Sequence, residues 1–405
     1  MTAQQFVIVG GGLAAATAAE QLRQRGVHGD IRLIAAEPHE PYIRPPLSKG
    51  FLLGTDDRDS VFVHPRDWYA QHGVELSTGV RVTGIGDHVV TLDTGETVPF
   101  DRLLLATGAQ PRRLNLPGGD ADGIHYLRTL DDSEALRAEF ERGDRQVAFV
   151  GSGWIGLELA AAARGLGNAV TIIAPDHVPL EGPLGAELGT MFRELHEQNG
   201  VEFRLDTAVT GFAAEDRRIA GVETDGGIVR ADLVVVGVGA VPDTALAEAA
   251  GIAVDNGILT DEHLATSVPD VFAAGDVANP YHPVIRQRIR NEHWANAIAG
   301  GKVAAASMAG ADAVLDDIPY FYTDQFDLGM EYSGYGPLTR GAEIVYRGDR
   351  PGRELIAFWL NDGRVVAGMN VNVSDVNDDV QRLIRSQKPV DPARLADPAI
   401  PLAEV

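Results

Sequence analysis

Residues 147–160 read VAFVGSGWIGLELA, an apolar run followed by a glycine-rich turn and a second, largely apolar run. This order predicts a buried β-strand, a tight turn and the start of an α-helix. Gly151, Gly153 and Gly156 have the spacing GxGxxG. The first glycine permits the turn, the second lets the backbone approach a pyrophosphate, and the third lets helix and strand pack closely. The stretch therefore predicts a dinucleotide-binding fold.

A near-copy of this stretch, FVIVGGGLAAATAA, occupies residues 6–19. Gly10 and Gly12 take the first two glycine positions, and the small Ala15 takes the third. Glu37 is expected at the end of the next strand, where a carboxylate can accept hydrogen bonds from ribose hydroxyls. Two nucleotide pockets imply two cofactors, and the economical chemistry for such a pair is hydride transfer from a nicotinamide to a flavin.

Apolar strand-like runs alternate with helical stretches through most of the chain. The runs are FVIVG, IRLIAAE, RLLLATG, VAFVG, AVTIIA and ADLVVVGVG. Near-continuous apolar strands separated by helices are typical of parallel sheets that are covered on both faces. We therefore expect the fold class α/β, with two doubly wound, Rossmann-like dinucleotide-binding domains.

From about residue 316 the pattern changes to alternating strands, and Asn361-Asp362-Gly363 separates two apolar runs as a hairpin turn does. The later segment VNDDVQRLIRSQ is predicted to be helical. These features indicate a C-terminal α+β domain with an antiparallel sheet. The expected domains are a first nucleotide-binding domain over 1–105 and 237–315, a second over 106–236, and the C-terminal domain over 316–405.

The 405-residue chain contains no cysteine. This count removes disulfides, thiolate metal ligands, iron–sulfur ligation and thiol redox catalysis from the chain itself. Any iron–sulfur centre must therefore belong to a partner. The net charge of −24 argues against nucleic acid as a partner, because that binding rests on neutralising phosphates with Lys and Arg.

The predicted location is cytoplasmic, without a membrane segment. The first predicted strand begins so close to Met1 that no room remains for a charged and then an apolar region of a signal peptide. The apolar run over 146–167 is interrupted by glycines and by Glu158 and Arg164. We therefore interpret this run as a buried strand and helix, not as a membrane span.

A series of longer strings resembles the FAD-dependent NAD(P)H:ferredoxin reductases, which are related to apoptosis-inducing factor. These flavoproteins supply electrons to small iron–sulfur proteins that serve oxygenases and cytochromes P450. The resemblance covers nearly the whole chain in order. The strings are YIRPPLSKGFL (42–52), LLLATGAQPR (103–112), YLRTLDDSEALR (126–137), GSGWIGLELAA (151–161), DNGILTDEHLATSVPDVFAAGDVA (255–278), NEHWANAIAGGKVAA (291–305) and PYFYTDQFDLGM (319–330).

The resemblance implies that the first nucleotide-binding domain holds FAD and the second holds NAD(P)H. For Trp294 the alternative is simple packing of a helix. The residues implied for FAD are Gly10, Gly12, Leu13, Ala14, Glu37, Arg44, Lys49, Val80, Ala106, Thr107, Gly108, Arg128, Gly275, Asp276, Glu292, His293 and Trp294. Those implied for NAD(P)H are Gly151, Gly153, Trp154, Ile155, Gly156, Glu158 and Gly239.

Lys49 and Glu158 are the candidate catalytic residues, because they resemble the family's buried ion pair beside the flavin. A cation there favours reduced flavin, and a carboxylate offsets the cost of burying the cation. Hydride transfer needs no side-chain acid or base, so the pair is expected to tune and orient the cofactors. The alternatives are a Lys49 at the surface and a solvated Glu158.

The choice of nicotinamide donor depends on the end of the strand AVTIIA. Many relatives have an acid there that binds the NADH ribose, but this chain has Ala174. Residues 174–182 also contain no Arg or Lys that would bind the 2′-phosphate of NADPH. NADH with weak affinity is therefore the predicted donor, and NADPH remains possible. Asp176, two residues further along, is the alternative ribose acceptor.

A small iron–sulfur ferredoxin is the predicted electron acceptor. Related disulfide reductases need cysteines that this chain lacks. Because many ferredoxins are acidic, an acidic reductase needs a local positive site, and Arg286, Arg288 and Arg290 share one face if their segment is extended. The alternative is three scattered, salt-bridging arginines. Two other functions stay open: reduction of quinones or a monodehydroascorbate-like radical, and a flavin-bound interaction protein with weak turnover.

Overall fold

The computed structural model of the protein describes residues 4–405. The helices are α1 (Leu13–Gln24), α2 (Gly50–Leu53), α3 (Trp68–Gln71), α4 (Leu130–Phe140), α5 (Trp154–Gly165), α6 (Glu181–Leu184), α7 (Ala186–Gln198), α8 (Ala245–Ala249), α9 (Trp294–Met308), α10 (Asn377–Ser386) and α11 (Pro392–Ala396). The strands are β1 (Gln5–Val9), β2 (Asp30–Ala35), β3 (Val74–Thr78), β4 (Val82–Gly86), β5 (Val89–Leu92), β6 (Thr97–Pro99), β7 (Arg102–Leu105), β8 (Ala109–Pro111), β9 (Ile124–His125), β10 (Gln146–Val150), β11 (Ala169–Ile173), β12 (Val201–Arg204), β13 (Val209–Glu215), β14 (Arg218–Thr224), β15 (Gly227–Arg230), β16 (Leu233–Val236), β17 (Ala240–Pro242), β18 (Ile258–Thr260), β19 (Val271–Ala273), β20 (Ala278–His282), β21 (Gln287–Arg288), β22 (Tyr320–Gln325), β23 (Leu328–Gly334), β24 (Glu343–Asp349), β25 (Glu354–Asn361) and β26 (Arg364–Val371).

The chain forms two compact units. Unit 1 contains the described chain up to Ile43, together with Arg58–Gln110 and Val241–Pro319. Unit 2 contains Arg44–Asp57, Pro111–Ala240 and Tyr320–Val405. Each unit is therefore assembled from segments that lie far apart in the sequence.

Unit 1 is built on a parallel sheet with the strand order β19-β7-β1-β2-β3. The central strand β1 buries both faces. Phe6 and Ile8 belong to one hydrophobic cluster with α1 and α9, whereas Val7 and Val9 belong to another. Because strand side chains alternate between faces, the continuous apolar run FVIV fills the core on both sides of the sheet.

Unit 2 contains a second parallel sheet of the same kind, with the order β12-β11-β10-β16-β9. Its central strand β10 again divides its apolar side chains between two clusters, Val147 and Phe149 on one side and Ala148 and Val150 on the other. Helix α5 begins directly after the glycine turn that follows β10. The run over 146–167 is thus a buried strand and helix, as predicted.

The C-terminal part of unit 2 is an antiparallel sheet with the order β22-β23-β26-β25-β24, on which α10 packs. The predicted hairpin is present, because Asn361 pairs with Arg364. The two residues between them, Asp362 and Gly363, have φ values of +49° and +72°. Positive φ at both positions is the requirement of a type I′ turn, which explains the Asp-Gly sequence.

The fold class predicted from the sequence is confirmed: two parallel Rossmann-like sheets and a C-terminal antiparallel sheet. The division into three domains at residues 105, 236 and 315 stays a prediction, since the compact units follow the packing of the chain and join the C-terminal sheet to unit 2. Within residues 4–405, no helix has the length and apolar character needed to cross a bilayer.

The first glycine turn offers a test of its backbone geometry. Gly10 has φ +132°, and an added Cβ would lie 2.1 Å from the Ala106 carbonyl oxygen. The backbone strain in Gly10→Ala should therefore lower the free energy of unfolding by about 1–3 kcal/mol. Gly12 has an extended backbone, and its Cβ would enter open space, so Gly12→Ala should change stability by less than about 0.5 kcal/mol. Urea unfolding measures both, and equal stability of the two variants would contradict this reading.

Candidate functional site

In unit 1, the turn between β1 and α1 has the shape needed for a pyrophosphate. Gly10 lies so close to the Ala106 carbonyl that only glycine fits. Gly12 caps the N-terminus of α1. A Cβ added to Gly12 would have no other atom of residues 4–405 within 4 Å, its adjoining backbone aside. The free N–H groups and the dipole of the helix N-terminus point into that open space. The predicted residues Gly12, Leu13 and Ala14 therefore fit an anionic phosphate group.

Other predicted FAD residues lie at the same carboxyl edge of this sheet. Glu37 follows β2, and its carboxylate accepts a hydrogen bond from the Tyr42 hydroxyl. The Gly79 N–H donates to the Glu37 carbonyl at 2.8 Å, and the Val80 N–H donates to the Ala35 carbonyl at 3.0 Å. These bonds hold Glu37 and Val80 beside the ends of β2 and β3, and their contact with FAD stays a prediction.

The loops after β7 and β19 complete this edge. The Thr107 hydroxyl donates to the Asp243 carbonyl at 2.7 Å, and Gly108 has φ +76°. An added Cβ on Gly275 would lie 3.1 Å from the Ala14 Cβ, so the loop after β19 touches the first turn of α1. Because the carboxyl ends of parallel strands form the usual ligand crevice of such sheets, unit 1 brings its predicted residues to one place.

The start of α9 carries three more predicted residues. Arg290 forms an ion pair of 2.6 Å with Glu292 and donates to the Asp276 carbonyl at 3.3 Å, which links these two positions. Burial lowers the pKa of His293 to about 4, and the nearby Asp276 carboxylate opposes this shift only partly. His293 is therefore neutral at pH 7. Trp294 is 40% exposed, so helix packing leaves much of its ring uncovered.

The three arginines of the expected docking site differ in their surroundings. Arg286 is exposed and has φ +59°, which interrupts the extended run assumed in the prediction. The Arg288 guanidinium donates to the carbonyls of Thr260 and Asn279 at 2.7 and 2.9 Å. Arg290 is paired with Glu292 as described above. The docking role stays a prediction. Arg290 forms a salt bridge, as the alternative requires, whereas Arg288 is held by backbone carbonyls.

In unit 2, the second glycine turn repeats the geometry of the first. An added Cβ on Gly151 would lie 2.4 Å from the Gly237 carbonyl oxygen, and one on Gly156 would lie 2.8 Å from the Gly151 carbonyl oxygen. Gly153, like Gly12, would direct its Cβ to open space among the described residues. The turn therefore also fits a pyrophosphate. Gly239, another predicted residue, follows β16 with φ +98° and accepts a hydrogen bond from the Arg112 N–H at 2.9 Å.

Trp154 and Ile155 begin α5 in two different environments. The Trp154 ring makes edge-to-face contacts with Phe192 and Phe321, with ring centroids 5.7 and 5.0 Å apart. Ile155 is 46% exposed. Trp154 therefore has a packing role within unit 2, and the contact of Ile155 with a nucleotide stays a prediction.

The predicted ion pair between Lys49 and Glu158 is present in unit 2. Lys49 Nζ lies 2.8 Å from Glu158 Oε1. The side chains are 18% and 4% exposed, so the alternatives of a surface Lys49 and a solvated Glu158 are wrong. Lys49 directly follows the 3₁₀ turn Pro45–Ser48, whose prolines fix the backbone, and Glu158 lies on the second turn of α5. The two local structures place a partly buried cation against a buried anion.

Two further donors to Glu158 were not predicted from the sequence. The Ser48 hydroxyl donates to Oε2 and the Thr323 hydroxyl donates to Oε1, each at 2.5 Å. Gln325 Nε2 in turn donates to the Thr323 hydroxyl oxygen at 3.1 Å. The sequence gives no clear signal for them, because Thr323, Asp324 and Gln325 are polar in succession, and only the structure shows that Thr323 and Gln325 are buried on one face.

Tyr322 and the two predicted arginines of this unit also have defined positions. Lys49 Nζ lies 5.4 Å from the centroid of the Tyr322 ring. Partial burial of Tyr322, which keeps an exposed face, raises its pKa, and the Asp324 and Glu158 carboxylates add to this shift. The Arg44 guanidinium donates to the backbone carbonyl of Arg128, so these two predicted FAD residues are neighbours.

The loop after β11 places a carboxylate beside the second glycine turn. Ala174 is fully buried, and its N–H donates to the Arg204 carbonyl at 3.0 Å. Asp176 lies two residues further on, and its carboxylate accepts a hydrogen bond of 3.3 Å from the Ser152 hydroxyl. Ser152 is the residue between the first two glycines of the turn. Asp176 therefore stands next to the turn even though the strand end itself carries no acid.

Two nucleotide-type turns and one buried cation–carboxylate pair define an oxidoreductase class that uses two dinucleotides, and comparison with known proteins agrees. The pyridine nucleotide-disulphide oxidoreductase family matches residues 4–301, and the reductase C-terminal family matches residues 320–405. The chain belongs to the pyridine nucleotide-disulphide oxidoreductase family and, within it, to the FAD-dependent ferredoxin reductases. The resemblance predicted from the sequence is thus confirmed.

The relatives match over nearly their full length. The ferredoxin–NAD(+) reductase component of the anthranilate 1,2-dioxygenase system of Burkholderia cepacia is 41% identical over 99% of both chains. Putidaredoxin reductase of Pseudomonas putida is 35% identical over 98% of this chain and 96% of its own. A solved covalent complex of putidaredoxin reductase with putidaredoxin gives a TM-score of 0.95 at 34% identity, covering 100% of this chain and 98% of the matched chain.

The buried pair predicts a large loss of stability on removal of one charge. Glu158→Gln leaves the Lys49 ammonium without its counter-charge in a mostly buried place. The free energy of unfolding should fall by about 3 kcal/mol, a typical value for breaking a buried ion pair from one side. Glu141→Gln is the matched control, because Glu141 pairs with Arg137 at 2.7 Å at the surface of α4. That variant should lose less than about 1 kcal/mol in urea unfolding. Similar losses in both would contradict the role of burial.

Proposed function

We propose that the protein is an FAD-dependent NAD(P)H:ferredoxin reductase that passes single electrons to an iron–sulfur ferredoxin serving an oxygenase or a cytochrome P450. The Lys49–Glu158 pair beside a complete GxGxxG turn is the observation that carries this proposal. Full-length similarity to a ferredoxin–NAD(+) reductase component of a dioxygenase system supports it. So does the similarity to a reductase solved in covalent complex with its iron–sulfur partner.

FAD and a nicotinamide nucleotide are the cofactors. When bound, the flavin accepts a hydride and can release its two electrons one at a time. In unit 1, we assign the turn at Gly10 and Gly12 to the FAD pyrophosphate and Glu37 to a ribose. Asp276 and the start of α9 are assigned to the remainder of the FAD. In unit 2, we assign Gly151, Gly153 and Gly156 to the nicotinamide nucleotide.

The chain's own side chains hold and tune the reactants in this proposal. Lys49 supplies a fixed positive charge, and Glu158 offsets the cost of burying it. Neither residue needs to accept or release a proton, because a hydride carries its own electron pair. The pair should therefore affect the rate of hydride transfer and the flavin potential more than nucleotide binding.

The acceptor follows from the amino-acid composition. Members of the family that reduce disulfides need cysteine thiols, and this sequence has no cysteine. Electrons must therefore leave the flavin directly for an external acceptor. Of the three arginines considered for docking, Arg286 and Arg288 are exposed, and Arg288 is held by the Thr260 and Asn279 carbonyls. We therefore propose Arg286 as the contact for an acidic ferredoxin.

We propose a cytoplasmic location, as predicted from the sequence, and cell fractionation tests it.

NADH is the proposed donor, with Asp176 as the ribose acceptor in place of a strand-end acid. The Ser152 hydroxyl holds the Asp176 carboxylate beside the second glycine turn. Two more carboxylates lie beside His177, the residue after Asp176. Glu181 accepts a hydrogen bond from the His177 N–H, and Asp206 pairs with the His177 ring, so both add negative charge to this loop. A negative surrounding of this kind disfavours the 2′-phosphate of NADPH, so NADPH is the weaker donor.

Anaerobic stopped-flow spectroscopy tests the overall function. Purified enzyme with bound FAD should lose its flavin absorption on mixing with NADH, and more slowly with NADPH at equal concentration. The reduced enzyme should then be reoxidised faster by putidaredoxin than by benzoquinone at matched driving force. Fast reoxidation by quinone alone would replace the proposal with a quinone reductase, and no bleaching by either nucleotide would favour an interaction protein.

The donor assignment predicts a specific effect of Asp176→Asn. Loss of a charged hydrogen-bond acceptor costs about 1–3 kcal/mol, so the KM for NADH should rise at least fivefold while kcat stays within twofold. The KM for NADPH should change less, so the ratio of the KM for NADPH to the KM for NADH should fall. Asp206→Asn is the control for NADH only, since Asp206 is exposed and pairs with His177, and it should leave the KM for NADH within twofold. An unchanged KM for NADH in Asp176→Asn would contradict the assignment of Asp176 as the ribose acceptor.

A further inference from the structure

The geometry points to Thr323 and Gln325, on the first strand of the C-terminal sheet, as positioning residues that fix the Glu158 carboxylate and through it the Lys49 ammonium. This inference rests on the proposed function and extends it to a part of the chain outside both nucleotide motifs. In this inference the C-terminal sheet supplies hydrogen-bond donors to the site in unit 2, in addition to packing against it.

Glu158 has a nearly complete set of hydrogen-bond donors. Oε1 receives the Lys49 ammonium at 2.8 Å and the Thr323 hydroxyl at 2.5 Å, and Oε2 receives the Ser48 hydroxyl at 2.5 Å. Ser48, Thr323 and Glu158 are 4%, 1% and 5% exposed. With donors on both oxygens, the carboxylate plane cannot rotate without breaking a buried hydrogen bond.

Gln325 sets the direction of the Thr323 hydroxyl. Its Nε2 donates to the Thr323 oxygen at 3.1 Å, so the hydroxyl proton is directed to Glu158. The opposite amide orientation would draw that proton toward Gln325. The Thr323 and Glu158 oxygens would then face each other at 2.5 Å with no proton between them. The short contact therefore fixes one donor chain, from Gln325 through Thr323 to Glu158.

Gln325 also carries an unsatisfied polar atom. Its side chain is 1% exposed, and Oε1 has no hydrogen-bond partner among the described residues. A buried acceptor without a partner destabilises the fold, so an apolar residue of similar size would suit the core better. The amide at this position is explained by its donation to Thr323.

The strand geometry delivers both residues to Glu158. In β22, Thr323 pairs with Met330 and Gln325 pairs with Leu328 of β23. Residues two apart on a strand share a face, so Thr323 and Gln325 point together to the buried side while Tyr322 and Asp324 are exposed. The Tyr322 ring lies 5.4 Å from Lys49 Nζ. One strand thus contacts both members of the ion pair.

Fixing Glu158 matters because Lys49 has a long, flexible stem and no rigid fork of donors. The position of its ammonium therefore depends mainly on Glu158 Oε1, the atom that it binds. If Oε1 loses the Thr323 donor, the carboxylate can turn and the ammonium can follow it. The positive charge would then be less well placed for a flavin that gains negative charge on reduction.

Thr323→Val tests the inference, because it removes the hydroxyl and keeps the shape. The KM for NADH should stay within twofold, and the rate constant of flavin reduction should fall about tenfold. Equilibration with a reference dye should show the ratio of reduced to oxidised flavin lowered about tenfold at a fixed potential, equal to about 30 mV for a two-electron couple. Thr323→Ser restores the donor and should recover both quantities.

Thr339→Val is the matched control in the C-terminal part of unit 2. Thr339 is 8% exposed, and its hydroxyl donates to the Gly336 carbonyl at 2.7 Å, away from the ion pair. This variant should keep the wild-type potential and reduction rate. Gln325→Leu, which leaves the Thr323 hydroxyl free to rotate, should give a smaller change of about threefold and provides a second variant if Thr323→Val does not fold.

The outcomes separate this inference from the proposed function. A wild-type potential and rate in both Thr323→Val and Gln325→Leu would overturn the positioning role, as would equal changes in Thr323→Val, Thr323→Ser and Thr339→Val. Wild-type enzyme that NADH does not reduce would instead contradict the proposed function. The dye equilibration uses dithionite as the reductant, so it still reports the effect of Thr323 in that case.

Discussion

The buried carboxylate of Glu158 is the constraint on which unit 2 depends. A charge with 4% exposure is tolerable only when it is paired and hydrogen-bonded. Its partners come from residues 48–49 and from Thr323, and both segments lie far from α5 in the sequence. Arg44–Asp57 packs with unit 2, although it interrupts unit 1 in the sequence, and the donors of Ser48 and Lys49 to Glu158 are part of this packing.

Local patterns predicted the two sheets, whereas the surroundings of Glu158 needed the structure. A glycine turn is a property of a few adjacent residues, so Gly10 and Gly151 could be identified from spacing alone. The Lys49–Glu158 pair followed from a family resemblance. Thr323 lies 165 residues from Glu158, and strand alternation gives the face of a side chain without naming what covers that face. The hydroxyl and amide donors were therefore missed.

The loop after β11 shows how a carboxylate can lie beside a glycine turn without standing at the strand end. The rule that an acid ends the second strand assumes that the ribose is reached from that one position. Here the loop after β11 returns to the glycine turn, because the Leu180 N–H donates to the Ser152 carbonyl at 3.2 Å. The same return brings Asp176 to the Ser152 hydroxyl. A missing acid at Ala174 therefore does not imply a missing carboxylate near the turn.

The two glycine turns also show where a duplicated fold has diverged. When Gly10 is aligned with Gly151, Thr17 of α1 occupies the position of Glu158 in α5. Thr17 is 6% exposed, and an added Cβ on Gly301 of α9 would lie 3.0 Å from its Cβ, so this face of α1 is closed by a tightly packed helix. The same face of α5 instead holds a carboxylate that binds Lys49 and Thr323. A neutral residue suits a helix that only packs against another helix, and a charged residue is stable only where other segments supply its donors. The chemistry that distinguishes the second turn therefore depends on the segments that pack on α5, and the glycine motif alone does not specify it.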